Sequence, residues 1–281
     1  MTAGGGAGAR GFTATARLAC VADNISGGLS ALLRPRYPLR ANFVPAWRRH
    51  GAAVALAVGA AAASVMWLDA SAFARASRLP AWLVDGAYQI SDLGLSGWIL
   101  VPSGALVVFI ALFASPALDT MSRAVLAMTV TRIGYVFIAV GLPGLVGTVA
   151  KRLIGRVRPS VRGPFAYEPL SWRPDFASFP SGHTTTAFAA LVALGIVFPR
   201  ARLVLCVYAL LIAASRVVVS AHYPSDVIAG AALGTWGALW VRDWFAARRL
   251  AFYVGSDGRG HLMPGPSLRR IRRVAGALLA H

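Results

Sequence analysis

Residues 202–246 read RLVLCVYALLIAASRVVVSAHYPSDVIAGAALGTWGALWVRDWFA. Two apolar runs, 202–221 and 226–246, flank a short polar break that holds His222 and Asp226. Each run is close to the roughly 20 residues that a helix needs to cross the hydrocarbon of a bilayer. Both are continuous rather than alternating, which excludes a transmembrane β-barrel. In lipid the backbone must satisfy its own hydrogen bonds, so these runs read as helices. Outward from this pair lie four further apolar segments, near 51–68, 95–115, 124–150 and 184–199. The expected fold is all-α: a six-transmembrane-helix bundle over 51–246, between a disordered polar N-terminal tail, 1–50, and a basic C-terminal tail, 247–281. Composition agrees, with 57% hydrophobic and only 14% charged residues, against roughly 25% charged in an ordinary soluble domain.

The formal net charge of +18 raises the possibility of a nucleic-acid partner, which the distribution of the charge excludes. A nucleic-acid binder gathers its cations on one water-exposed face, whereas here the arginines sit between apolar runs, as in membrane proteins. Arg34, Arg36, Arg40, Arg48 and Arg49 precede the first run, Arg200 and Arg202 occupy the link between the fourth and fifth, and Arg248, Arg249, Arg259, Arg269, Arg270, Arg272 and Arg273 follow the last. All fall on one side, which the positive-inside rule makes cytoplasmic. Link 151–183 breaks the rule. It carries Lys151, the one lysine of the chain, with Arg152, Arg156, Arg158, Arg162 and Arg173 on the outer side. Cations kept against the rule imply another purpose. Cys20 and Cys206 lie in different settings and are not expected to pair. Residues 268–279 form a basic amphipathic stretch able to lie on an anionic leaflet.

Three short stretches at outer ends of the runs carry the chemistry. They are Lys151 through Arg158-Pro159, then Pro180-Ser181-Gly182-His183, then Ser215-Arg216 with His222 and Asp226. Two histidines, one acid and three cations at one level suit a phosphoryl group, whose spread charge is stabilised by clamping cations. Arginine offers a planar fork to two oxygens and lysine a point charge. A nucleophilic histidine must be neutral at the attacking nitrogen, and a carboxylate on its other N–H fixes that tautomer; Asp226 fits that role for His222. An alcohol leaving group needs a proton, which His183 can supply. Ser181 fits a helix N-cap, and Gly182 lets the backbone approach an anion at that helix start.

The three stretches together are similar to the signature of the type 2 phosphatidic acid phosphatase superfamily, which includes the vanadium haloperoxidases. That signature is a lysine, six residues and Arg-Pro, then Pro-Ser-Gly-His, then Ser-Arg, five residues, His, three residues and Asp. Lys151 to Pro159, Pro180 to His183 and Ser215 to Asp226 match it without gaps. The resemblance covers about 95–246. It implies that His222 becomes a phosphohistidine, that Asp226 orients it, and that His183 is acid and then base. Lys151, Arg158, Ser181, Gly182 and Arg216 would hold the phosphate. The implied activity is hydrolysis of a phosphomonoester or diphosphate on a membrane lipid, with no cofactor and no metal; Glu168 is the one glutamate of the chain. A lipid phosphotransferase using the same phosphohistidine, and a non-catalytic lipid-binding or transport protein on the same scaffold, are the alternatives. The Arg-rich, Ala-rich composition suggests a bacterial inner membrane, with the site facing the periplasm. A reporter fused after residue 250 is expected to score cytoplasmic and one placed within 163–175 periplasmic; the reverse pattern overturns this orientation.

Overall fold

The computed structural model describes residues 14–37, 44, 46–114, 118–161 and 163–279. Its helices are α1 (Ala14–Leu33), α2 (Ala46–Arg49), α3 (Gly51–Trp67), α4 (Asp69–Ala76), α5 (Ala81–Asp92), α6 (Gly97–Phe113), α7 (Thr120–Ile154), α8 (Gly182–Val197), α9 (Arg202–Val218), α10 (Pro224–Ala246) and α11 (Leu268–Leu279). The six expected runs are α3, α6, α7, α8, α9 and α10. By length and composition three described stretches can cross a membrane: Ala81–Phe113, Thr120–Ile154 and Pro199–Val218. A fourth is α3 with α4, if that pair, bent by 61°, is one span.

Helix α7 starts and stops for identifiable reasons. Asp119 caps it by accepting from Ser122 N at 2.8 Å. Gly155 ends it at φ 61°, where a Cβ would lie 1.7 Å from Glu168 O, so the position accepts only glycine. Helices α7, α8 and α10 form the centre of the bundle, and small residues set how close they come. A Cβ on Gly234 of α10 would lie 2.2 Å from Thr185 O of α8, and one on Gly230 2.6 Å from Ser181 O. Ala189, Ala190, Ala193 and Ala238 are fully buried around this contact. Lipid tails are as apolar as leucine, so such close backbone packing is what holds membrane helices together.

Alternating helix directions bring three chain segments to one end of the bundle: 68–96, 151–183 and 215–226. Within the middle segment, Val157 N donates to Ala166 O, Arg158 N to Asp175 O and Ser178 N to Arg156 O, which orders a loop without regular structure. Trp172, Leu170 and Phe165 stand out from it, 80%, 69% and 64% exposed.

The structure departs from expectation at both tails. Helix α1 lies where a disordered tail was read; its Asn24 donates to Ala111 O and Ala114 O at the end of α6, closing carbonyls that the helix end leaves open. The all-α reading missed a small antiparallel pair, β1 (Phe252–Val254) and β2 (Gly260–Leu262). Its turn holds Asp257 and Gly258, the latter at φ 69°, a hairpin signal that was present in the sequence. Phe252 packs edge-on against Tyr135 of α7, with ring centres 4.7 Å apart. Ile271 and Val274 seat α11 against the residues of α6 and α7 around Ile110 and Leu126. Residues 1–13, 38–43, 45 and 280–281 of the expected tails, Arg40 among them, lie outside the described residues, as does Arg162 of the 151–183 link.

The α8–α10 contact yields a direct comparison. Gly234→Val is expected to overpack it and cost about 1–3 kcal/mol or more, seen as a clear fall in thermal midpoint of the detergent-purified protein. Gly144→Ala, where a Cβ meets no atom within 4 Å, is expected to leave that midpoint unchanged.

Candidate active site

All eight residues singled out in the sequence fall at the one end of the bundle just described. Lys151 lies in the last turn of α7, and its Nζ is 3.0 Å from where a Cβ on Gly182 would be. That close approach gives Gly182 its reason: a side chain there would push the lysine away. Ser181 precedes α8 as its N-cap by position, but its side chain makes no capping bond to the helix backbone. Its hydroxyl accepts from Thr184 Oγ1 at 3.0 Å, and it is fully buried, with its N–H donating to Asp226 O. Thus the Pro-Ser-Gly-His turn is tied to the start of α10 by a backbone bond.

His183 begins α8 beside Gly94, where a Cβ would be 3.1 Å from His183 Cδ2 and 2.7 Å from Ile212 Cγ2. Arg216 ends α9, and its NH1 donates to the Ser91 hydroxyl of α5. A tight turn follows, with Ser220 at φ 52°. Arg216 O accepts from both Ala221 N and His222 N at 3.2 Å, which folds His222 back beside Arg216. Arg158 reaches along the loop, where its Nε donates to Pro174 O at 3.0 Å.

Asp226 is the N3 residue of α10 and accepts from the N-cap backbone, Tyr223 N, at 2.9 Å. Its Oδ2 is 3.7 Å from His222 Nδ1. That is an ion-pair separation and too long for a hydrogen bond; among the described residues no polar atom bonds Nδ1. The expected carboxylate partner is therefore adjacent but not engaged. Burial pushes the His222 imidazole down to about 4; Asp226 opposes that shift, and Lys151 and Arg216 add to it. The ring is thus neutral, the form a nucleophile requires.

Among the described residues Lys151, Arg158 and Arg216 have no carboxylate within 4.0 Å. Three cations with no carboxylate in ion-pair contact, around two imidazoles and beside a helix N-terminus, suit an anion. The carboxylate that could have neutralised them, Asp226, is occupied elsewhere. Its Oδ1 accepts from Arg156 NH1 at 2.6 Å, and its Oδ2 from Ser178 Oγ at 2.5 Å. Arg156 in turn pairs with Asp69 at 2.7 Å. In the sequence Arg156 is one of several cations of link 151–183 kept against the charge rule, and nothing there marks Asp69, Ser91, Ser178 or Ser225. Arg156 stands out only in three dimensions, at 1% exposure against 8% for Arg216, the other buried arginine among the described residues.

A family model described as PAP2 superfamily matches residues 132–250. The chain is 36% identical over 242 residues to a lipid A 1-phosphatase of Rhizobium johnstonii, covering 82% of this chain and 96% of that one. It is 38% identical over 76 residues to phosphatidylglycerophosphatase B of Escherichia coli, covering 25% and 30%. The crystal structure of a transmembrane PAP2 type phosphatidylglycerolphosphate phosphatase from Bacillus subtilis superposes with a TM-score of 0.49 at 24% identity, over 68% of this chain and 94% of that one.

If the neutral imidazole of His222 is the attacking form, activity holds above its pKa and fades as pH falls through it. The acid limb of kcat/KM, corrected for ionisation of the substrate, is expected to be centred near pH 4. A limb near the ordinary histidine value of about 6.5 would contradict the burial of His222.

Proposed function

Because this chain belongs to the PAP2 superfamily, we propose that it is an integral membrane lipid phosphatase working through a phosphohistidine on His222. The observation that carries this reading is the neutral, buried His222 beside three cations, none in ion-pair contact with a described carboxylate. His222 Nε2 attacks phosphorus while the bond from phosphorus to the lipid oxygen breaks, and His183 delivers the proton that the departing oxygen needs. Lys151, Arg158 and Arg216, with the Gly182 amide and Ser181, stabilise the charge on the nonbridging oxygens. Water then attacks the phosphohistidine and gives its proton to His183. Inorganic phosphate leaves, and His222 is neutral again. Asp226 takes up the Nδ1–H as positive charge develops on the ring, which shortens the 3.7 Å separation.

Side chains supply every step, so the reading needs no metal. Among the described residues no three His, Cys, Asp or Glu side chains stand together as ligands. The relative matched along nearly its whole length, 96% of that chain, is a lipid A 1-phosphatase. The match to phosphatidylglycerophosphatase B covers 30% of that protein. A phosphate on lipid A is therefore the leading substrate. The reading places the chain in a bacterial inner membrane, with six spans, cytoplasmic termini and the site on the periplasmic side.

The test is phosphate release by purified protein in detergent with excess chelator. Lipid A, undecaprenyl diphosphate, phosphatidylglycerol phosphate and phosphatidate are offered in parallel. Release is expected with lipid A ahead of the others, and His222→Ala is expected to lose more than about a thousandfold in kcat while remaining folded. Activity that disappears with chelator and returns with Mg²⁺ sinks the mechanism. Substantial turnover by folded His222→Ala ends the nucleophile assignment.

A further inference from the structure

We propose that Arg156 and Asp69 are positioning residues for the His222 reaction: Arg156, anchored from behind by Asp69, holds Asp226 with its Oδ2 edge toward His222. The proposal rests on the phosphohistidine reading, and it assigns a role to two residues that lie outside the three motif stretches' expected set. Asp69 also lies outside the family match at 132–250.

The geometry is that of a filled guanidinium. Arg156 NH1 donates to Asp226 Oδ1 and to Ser225 Oγ, both at 2.6 Å. Its NH2 donates to Asp69 Oδ2 at 2.7 Å and to Pro164 O at 3.2 Å, and its Nε to Pro164 O at 3.3 Å. All five N–H groups are used. The plane lies over the Tyr223 ring, 4.4 Å from its centre. Asp69 is held as firmly: Ser64 Oγ and Ser225 N donate to Oδ1, and Ser225 Oγ to Oδ2. Asp69 and Asp226 are fully buried. The chain Asp69–Arg156–Asp226 therefore runs from the start of α4, through the loop after α7, to the first turn of α10.

That chain acts on the reacting histidine through one bond rotation. A carboxylate's terminal torsion is soft and two-fold, so an unclamped Asp226 would present either oxygen. Here Oδ1 is taken by Arg156, and Oδ2, fixed further by Ser178 and Tyr223 N, is the edge nearest His222 Nδ1. An arginine fork can bond Asp226 and Asp69 at once; a lysine keeps the charge and loses the fork. The position of Asp226, and through it the His222 ring, depends on that fork.

The test compares full-length Asp69→Asn, Arg156→Lys, Arg156→Met and the double variant Asp69→Asn/Arg156→Met, with His222→Ala alongside. Steady-state kinetics on the lipid phosphate and thermal unfolding are measured for each. Asp69→Asn and Arg156→Lys are expected to lower kcat about tenfold to a hundredfold per folded molecule, with KM within about threefold, the scale of a reacting group misplaced by about 1 Å. Arg156→Met is expected to be worse than Arg156→Lys. The double variant is expected to lose clearly less than the product of the two single losses, because Asp69 and Arg156 act on Asp226 through one shared network. The proposal is overturned if folded Asp69→Asn and Arg156→Lys keep kcat within about twofold of the wild type, or if their loss tracks the folded fraction alone. Turnover by His222→Ala would instead bring down the nucleophile reading beneath it, a result distinct from any seen with the Arg156 variants.

Discussion

A guanidinium at 1% exposure constrains everything around it. It must satisfy five N–H donors and a charge without water, and no single element of this chain does so. Arg156 draws them from the start of α4, the loop after α7 and the start of α10. Removing one partner from a buried ion pair typically costs about 3–5 kcal/mol, because the charge left behind remains desolvated. Those segments are consequently locked to one another at the end of the bundle where the two histidines stand. The small-residue contact between α8 and α10 performs the matching task deeper in the bundle. Gly230 and Gly234 let the backbones close in, and so fix the height of His183 relative to Asp226.

Much of this was legible in the sequence. The apolar runs placed α3 and α6 to α10 within a few residues, because a helix that must satisfy its own backbone in lipid leaves a long, unbroken apolar signature. The three polar stretches fell at alternate helix ends, so connectivity alone brought them together. What the sequence hid was local. The link at 69–94 contains α4 and α5, whose shorter, mixed-polarity pattern does not announce a span. Ser181 looked like a side-chain cap, but its hydroxyl is taken by Thr184. Asp226 looked like the direct partner of His222, but its oxygens are bound by Arg156, Ser178 and Tyr223 N. Spacing shows which residues share a level; it does not show which of several charges on that level is fully desolvated. Arg156 and Arg158 read alike in the sequence, and only packing separates a buried tie from a cation facing the site.

That separation gives the site two electrostatic layers. In front, Lys151, Arg158 and Arg216 keep their charge for a ligand. Behind, Asp69 and Asp226 share the one guanidinium of Arg156, with the proposed nucleophile between the layers. A carboxylate released from the rear layer would neutralise the front one, so the rear ion chain preserves affinity for phosphate as well as geometry.

The loop with Phe165, Leu170 and Trp172 sets how the substrate is met. Three large apolar side chains on that loop are each more than 60% exposed, and residues of this kind favour the headgroup level of a bilayer. An enzyme anchored at that depth samples a film of lipid and not a bulk solution. Encounter becomes a two-dimensional search, and the relevant concentration is the mole fraction of substrate in the surface. Adding inert detergent or bulk phospholipid would then slow the reaction by surface dilution, even at constant molar substrate. Half-saturation for this protein has meaning only when the area of the interface is stated with it.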